Sequence, residues 1–115
     1  MIYYTEIVPF ELAKKLKEAG FPQDECIVAD GYAKDGKLTS YYWQDYAAPM
    51  YCEVFDWLIR EGLCLEMERN IKGWLCYIYS VEEKKGEWAC FDSLSFHEAA
   101  NAAIEKACEI LKGNG

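Results

Sequence analysis

Apolar residues along this chain recur at helical spacing in three stretches and alternate with polar ones in a fourth, and these patterns predict most of its elements. The clearest helix is Ser95–Gly113 (SFHEAANAAIEKACEILKG). Ala99, Ala100, Ala103, Ile104, Ala107, Ile110 and Leu111 form its apolar stripe, and Glu98, Asn101, Glu105, Glu109 and Lys112 form the opposite one. Ser95 and Glu98 have capping-box spacing, so each side chain is expected to accept the other's backbone N–H. Lys112 suits the negative end of the helix dipole, and Gly113 is expected at the left-handed position beyond it. The inner stripe Ala99–Ala103–Ala107 is small, which predicts a close approach to whatever the helix covers.

Earlier in the chain, Met1–Val8 reads as a strand or an extended lead-in. Pro9 suits the first position of a helix whose stripe is Phe10, Leu12, Ala13, Leu16 and Ala19. Gly20 and Phe21 then fit a Schellman stop. Cys26–Ala33 and Leu38–Trp43 read as the arms of a hairpin turning at Asp35-Gly36. Pro49 introduces a helix over Met50–Glu61 with Tyr51, Val54, Phe55, Leu58 and Ile59 as its apolar face and Trp57 on the flank. Asp56 and Arg60 are a favourable pair one turn apart on it. Leu63–Glu68 alternates cleanly, with Leu63, Leu65 and Met67 facing the core. Gly73–Ser80 is apolar on both faces and suits a central strand, Glu82–Gly86 is a charged turn, and Glu87–Asp92 is a third strand. Short connections make the three an antiparallel meander. The expected fold class is therefore α+β: one domain over residues 1–115, with a helix plus hairpin in 1–48 and an α-β-β-β-α unit in 49–113 whose two helices cover one sheet face.

A length of 115 residues with 52% apolar and 16% aromatic side chains supplies a core and argues against disorder. The net charge of −8 disfavours binding to a phosphate backbone, which depends on Lys and Arg contacts. The cations that do cluster, Lys14, Lys15 and Lys17 on a helix and Lys84–Lys85 in a turn, read as solvated faces. Cys26, Cys52, Cys64, Cys76, Cys90 and Cys108 lie singly in apolar runs with no CxxC, which predicts reduced core thiols in a cytosolic protein. His97 is the only histidine, so neither a metal site nor a cofactor is expected. No apolar run approaches the length of a membrane span.

The order from Met50 to Lys112 is the topology of the double-stranded-RNA-binding domain, and the last helix resembles that domain's S-K-K-E-A-K-N-A-A-A signature at Ser95, Glu98, Ala99, Asn101, Ala102 and Ala103. The family's phosphate-clamping lysines would stand at Phe96, His97 and Ala100, and Arg69–Lys72 lacks its Gly-Pro-x-His loop. The resemblance thus implies the fold without the RNA-binding groups. The whole chain also resembles small uncharacterised proteins carried by phages and integrated elements of Bacteroidales gut bacteria. That likeness runs through Glu11–Phe21, Asp35–Leu38, Ala48-Pro49, Val54–Leu58 and His97–Glu105. It departs from their pattern at Pro9 and Met50, where small polar helix caps are usual. It implies a bacterial, cytoplasmic setting and no particular chemistry.

No catalytic constellation stands out. A Cys–His dyad would need His97 beside a cysteine and a third group orienting its ring. Glu66 with Glu68, and Glu82 with Glu83, read as solvated carboxylates. A P-loop, GxSxG and HExxH are all missing from the sequence. The expectation is a non-enzymatic protein that works by contact with an unknown protein partner or with a second copy as a homodimer. Its candidate surface is Leu75, Tyr77 and Tyr79 on the open sheet face, or Trp74 and Ile78 if the strand faces the other way. Tyr41, Tyr42, Trp43 and Tyr46 join it if they do not simply pack a loop down. The alternative is a divergent nucleic-acid-binding module that uses the aromatic sheet face.

Overall fold

The structure is a computed structural model. It describes residues 3–27, 30–82 and 87–114, with the side chains of 87–92 and 114 outside the description. Its described elements are α+β: three helices, and strands paired antiparallel in two three-stranded sheets. The chain divides into two compact units, Met1–Val54 and Phe55–Gly115.

In the first unit, α1 (Phe10–Glu18) follows Pro9, whose extended backbone caps the helix without a side-chain bond. Leu12, Ala13 and Leu16 are buried. The predicted Schellman stop is present. Gly20 sits at φ +102 and donates to Lys17 O (3.1 Å), and Phe21 N donates to Leu16 O (2.9 Å). The predicted hairpin pairs β1 (Gly31–Tyr32) with β2 (Leu38–Thr39), each only two residues long. Cys26 and Ile27 are not in a strand, and residues 28 and 29 of the predicted first arm lie outside the described residues. The second arm stops at Thr39, because Tyr41–Trp43 winds into a 3-10 turn. A third strand that the pattern does not announce, β3 (Tyr46–Ala47), pairs with the other edge of β1, giving the order β2-β1-β3. The lead-in is held by Val8 N to Pro49 O (2.9 Å), Tyr51 N to Glu6 O (3.1 Å) and an isolated bridge between Ile7 and Met50.

Helix α2 (Tyr51–Arg60) shows how the chain copes without a small polar cap at Met50. Glu53, in the first turn, reaches back so that its Oε1 accepts the Met50 N–H at 2.9 Å, half of a capping box. Its buried face includes Trp57 and leaves Ile59 exposed, the reverse of the predicted flank. The two positions border the same stripe on opposite sides, and burying the larger indole removes more apolar area from water. The Asp56–Arg60 pair forms on the exposed side at 3.9 Å.

The second unit is built on β4 (Leu63–Asn70), β5 (Gly73–Ser80) and β6 (Glu87–Ser93), in the order β4-β5-β6. Residues 83–86 of the predicted charged turn lie outside the described residues. Pairing settles which way β5 faces. Leu65 opposes Ile78 and Met67 opposes Cys76, so Trp74, Cys76 and Ile78 share the inner face with Leu63 and Leu65. Trp74, Cys76 and Ile78 are buried, whereas Leu75, Tyr77 and Tyr79 on the other face are half-buried. Helix α3 (Phe96–Asn114) packs against all three strands. Phe96 meets Trp74 edge to face at 5.2 Å between ring centres.

The start of α3 departs from the simple capping box. Ser95 Oγ accepts the Glu98 N–H at 3.3 Å, but the Glu98 carboxylate takes the Ser93 hydroxyl (2.6 Å), and Ser93 Oγ accepts the Ser95 N–H (3.2 Å). The reciprocal bond is thus relayed through Ser93. At the other end the helix runs through Gly113, which is not in the left-handed region. Ala99, Ala103 and Ala107 are buried, as a closely seated small stripe requires. Ala103→Leu should overpack this contact and cost about 1–3 kcal/mol, read as a lowered midpoint in urea with an unchanged slope.

Candidate interaction surface

The aromatic run lies in the connection that carries the chain from β2 on one edge of β1 to β3 on the other. Trp43 N donates to Ser40 O at 3.0 Å and Gln44 N to Tyr41 O at 3.4 Å, which closes the 3-10 turn. Asp45 then fixes the turn to its surroundings. Its N–H donates to Tyr32 O (2.8 Å), its Oδ2 accepts the Lys34 N–H (3.0 Å), and its carbonyl accepts Lys17 Nζ (2.9 Å). Gln23 holds the far side, with its Oε1 accepting the Ala47 N–H at 2.8 Å.

This anchoring separates the four aromatics. Tyr46 is half-buried, edge-on to Phe10 at 5.8 Å and beneath the Lys17 ammonium at 5.2 Å. Tyr41, Tyr42 and Trp43 are 48%, 88% and 77% exposed. Tyr41 and Tyr42 stand edge to face at 5.8 Å, so the turn presents three consecutive rings on a backbone tied down at both ends.

On the second unit, the sheet face opposite α3 carries Leu75, Tyr77 and Tyr79 with Cys64, Glu66 and Glu68. Tyr79 donates its hydroxyl to Glu66 Oε1. Its phenol is pushed well above the ordinary range, first by its hydrogen bond with the Cys64 side chain and then by the bond to the Glu66 carboxylate, which a phenolate would forfeit.

The cysteines divide by exposure. Cys76 and Cys108 are buried as expected, whereas Cys26, Cys52 and Cys64 are half-buried, and the Cys90 side chain lies outside the described residues. Cys26 lies beside the Glu53 carboxylate, whose Oε2 accepts the Ile27 N–H at 3.0 Å. Burial, with the charges of Glu53 and Glu25 added to it, pushes this thiol up to about 12. Because only the thiolate reacts, Cys26 should be alkylated by iodoacetamide at pH 8 about a thousandfold more slowly than an ordinary thiol, as followed by peptide mass spectrometry. A rate like that of a free cysteine peptide would contradict the assigned environment.

His97 is half-buried, with its ring edge-on to Phe96 at 5.7 Å. Among the described residues there is no group of three or more His, Cys, Asp or Glu placed to hold a metal ion, and no helix is long and apolar enough to cross a membrane.

Two exposed apolar residues escaped the pattern. Ile71, fully exposed, and Leu94, 84% exposed, stand in the turns at one end of the second sheet. Ile71 is one of the two residues between the ladder partners Asn70 and Gly73. An apolar side chain in such a short turn is itself a signal, since turn chemistry favours Gly, Asn, Asp and Ser there.

What fold and surface together define is an α+β protein with exposed aromatics on one unit and an aromatic, acid-flanked sheet face on the other. Comparison of the chain with known protein families, with curated proteins and with solved structures finds no match in any of the three.

Proposed function

We propose that this protein is a non-enzymatic recognition module that binds a protein partner through the turn Tyr41–Trp43. The exposure of three consecutive aromatic side chains on an anchored turn carries this reading. Clustered exposed aromatics are costly to leave in water, and Tyr and Trp are the residues that most often dominate protein interfaces. Leu75, Tyr77 and Tyr79 form a secondary contact surface. The acidic charge of the chain, together with Glu66 and Glu68 on that sheet face, sets it against a nucleic-acid backbone.

For the second unit, extended by α2, we propose a double-stranded-RNA-binding-domain-like arrangement with α2 beside α3 on the inner face. The order α2-β4-β5-β6-α3 and the seat of α3 on the sheet support it. The setting that fits the sequence resemblances is the cytoplasm of a Bacteroidales bacterium carrying a phage or mobile element.

The test of partner class is capture by the tagged protein from a Bacteroidales lysate, divided into nuclease-treated and untreated halves and washed at low and high salt. A protein retained after nuclease and after high salt is the expected result. Retention of nucleic acid alone, released by salt, would overturn the reading in favour of a divergent nucleic-acid module.

A further inference from the structure

We propose that the cleft between the β4–β5 turn and the β6–α3 turn is a docking site for a short acidic peptide segment that inserts one large apolar side chain. The cleft measures about 260 Å³ and is lined by Asn70, Lys72, Gly73, Trp74, Ser93 and Leu94. Its walls are held in place from within. Asn70 Oδ1 accepts the N–H groups of both Lys72 (2.8 Å) and Gly73 (2.9 Å), which fixes the first turn. The Ser93 hydroxyl, donated to Glu98, fixes the second.

Two features define the occupant. The first is apolar surface at the rim. Leu94 is a lining residue left mostly in water, Ile71 stands fully exposed in the turn between the lining residues Asn70 and Lys72, and Trp74 also lines the cleft. A single large aliphatic or aromatic side chain matches this volume and lining. The second is charge. In a chain of net charge −8, the cleft is bordered by two cations: Lys72, which lines it, and Arg69, whose guanidinium lies 5.7 Å from the Trp74 ring centre. The Glu98 carboxylate, which reaches the lining at Ser93, accepts that residue's hydroxyl. Charge complementarity therefore selects carboxylates on either side of the inserted residue. This site belongs to the second unit and does not depend on the aromatic turn.

The test is selection of a displayed random peptide library on the 115-residue chain. Enriched sequences are expected to carry Leu, Phe or Trp flanked by Asp and Glu. Their affinity should fall at least about tenfold in Leu94→Ser and in Lys72→Glu, and should be unchanged in a Tyr42→Ser/Trp43→Ser variant. Both altered cleft positions are exposed, and circular dichroism checks that the variants fold. No enrichment, enrichment of basic sequences, binding that survives both cleft substitutions, or binding lost only in the aromatic-turn variant would each overturn the proposal.

Discussion

Ile78→Ala should destabilise the second unit by about 2–5 kcal/mol, the usual cost of removing a buried aliphatic side chain from a site that cannot collapse. Ile78 is completely buried on the inner face of the central strand, opposite Leu65, on the sheet that α3 packs against. Strands on both sides and a helix above leave few ways for neighbours to close the cavity. Urea unfolding followed by far-UV circular dichroism measures the effect, which should appear as a shifted midpoint with the slope preserved. Tyr79→Ala, one residue along on the outer face, gives the contrast: its side chain is only half-buried, so its loss should cost clearly less. A loss below about 1 kcal/mol at Ile78 would mean that the inner face is not the core.

Gly73→Ala should be comparably harmful for a different reason. A Cβ there would sit 2.4 Å from the Ser93 carbonyl oxygen and 2.9 Å from Leu94 Cα, both backbone atoms that cannot swing aside as a flexible side chain would. The residue also has φ +150, where side chains are strained. Strain and overpacking contribute about 1–3 kcal/mol each, so a total of about 2–6 kcal/mol is expected. The same chemical change at Gly113 should have the opposite sign. That residue lies within α3 with nothing near its Cβ position, so alanine should stabilise by up to about 1 kcal/mol. Paired thermal melts measure both. A Gly73→Ala protein as stable as the parent would show that the two turns do not approach as closely as described.

Local signals in the sequence announced the elements whose order came from local physics. The alternation of Leu63, Leu65 and Met67 declared the inner face of β4, and the alanine stripe declared the buried side of α3. What could not be read locally depends on partners distant in the chain. β5 is apolar on both faces, so its orientation follows from pairing with β4 rather than from its own composition. Strands of two residues such as Tyr46–Ala47 carry no periodicity and exist because β1 offers a free edge. The relay of the α3 cap through Ser93 was hidden because Glu98 has the right spacing for the simpler bond. The aromatic run was visible, but aromatic content alone does not distinguish a packed loop from an exposed platform. The anchoring of Asp45 and Tyr46 turns Tyr42 and Trp43 outward, and that anchoring comes from Lys17, Tyr32 and Lys34, none of them adjacent in sequence.

Tyr42 and Trp43 are the most exposed rings of the proposed recognition surface. Two interface residues of this type together contribute on the order of a thousandfold in affinity when both are truncated. Both are exposed, so their truncation should leave the melting temperature essentially unchanged. The most direct measurement is side-by-side capture from nuclease-treated Bacteroidales lysate with the parent protein and with a Tyr42→Ser/Trp43→Ser variant, quantified by mass spectrometry. The expected result is a protein recovered with the parent and depleted at least about tenfold with an equally stable variant. Equal recovery on both, or no nuclease-resistant protein on either, would contradict it.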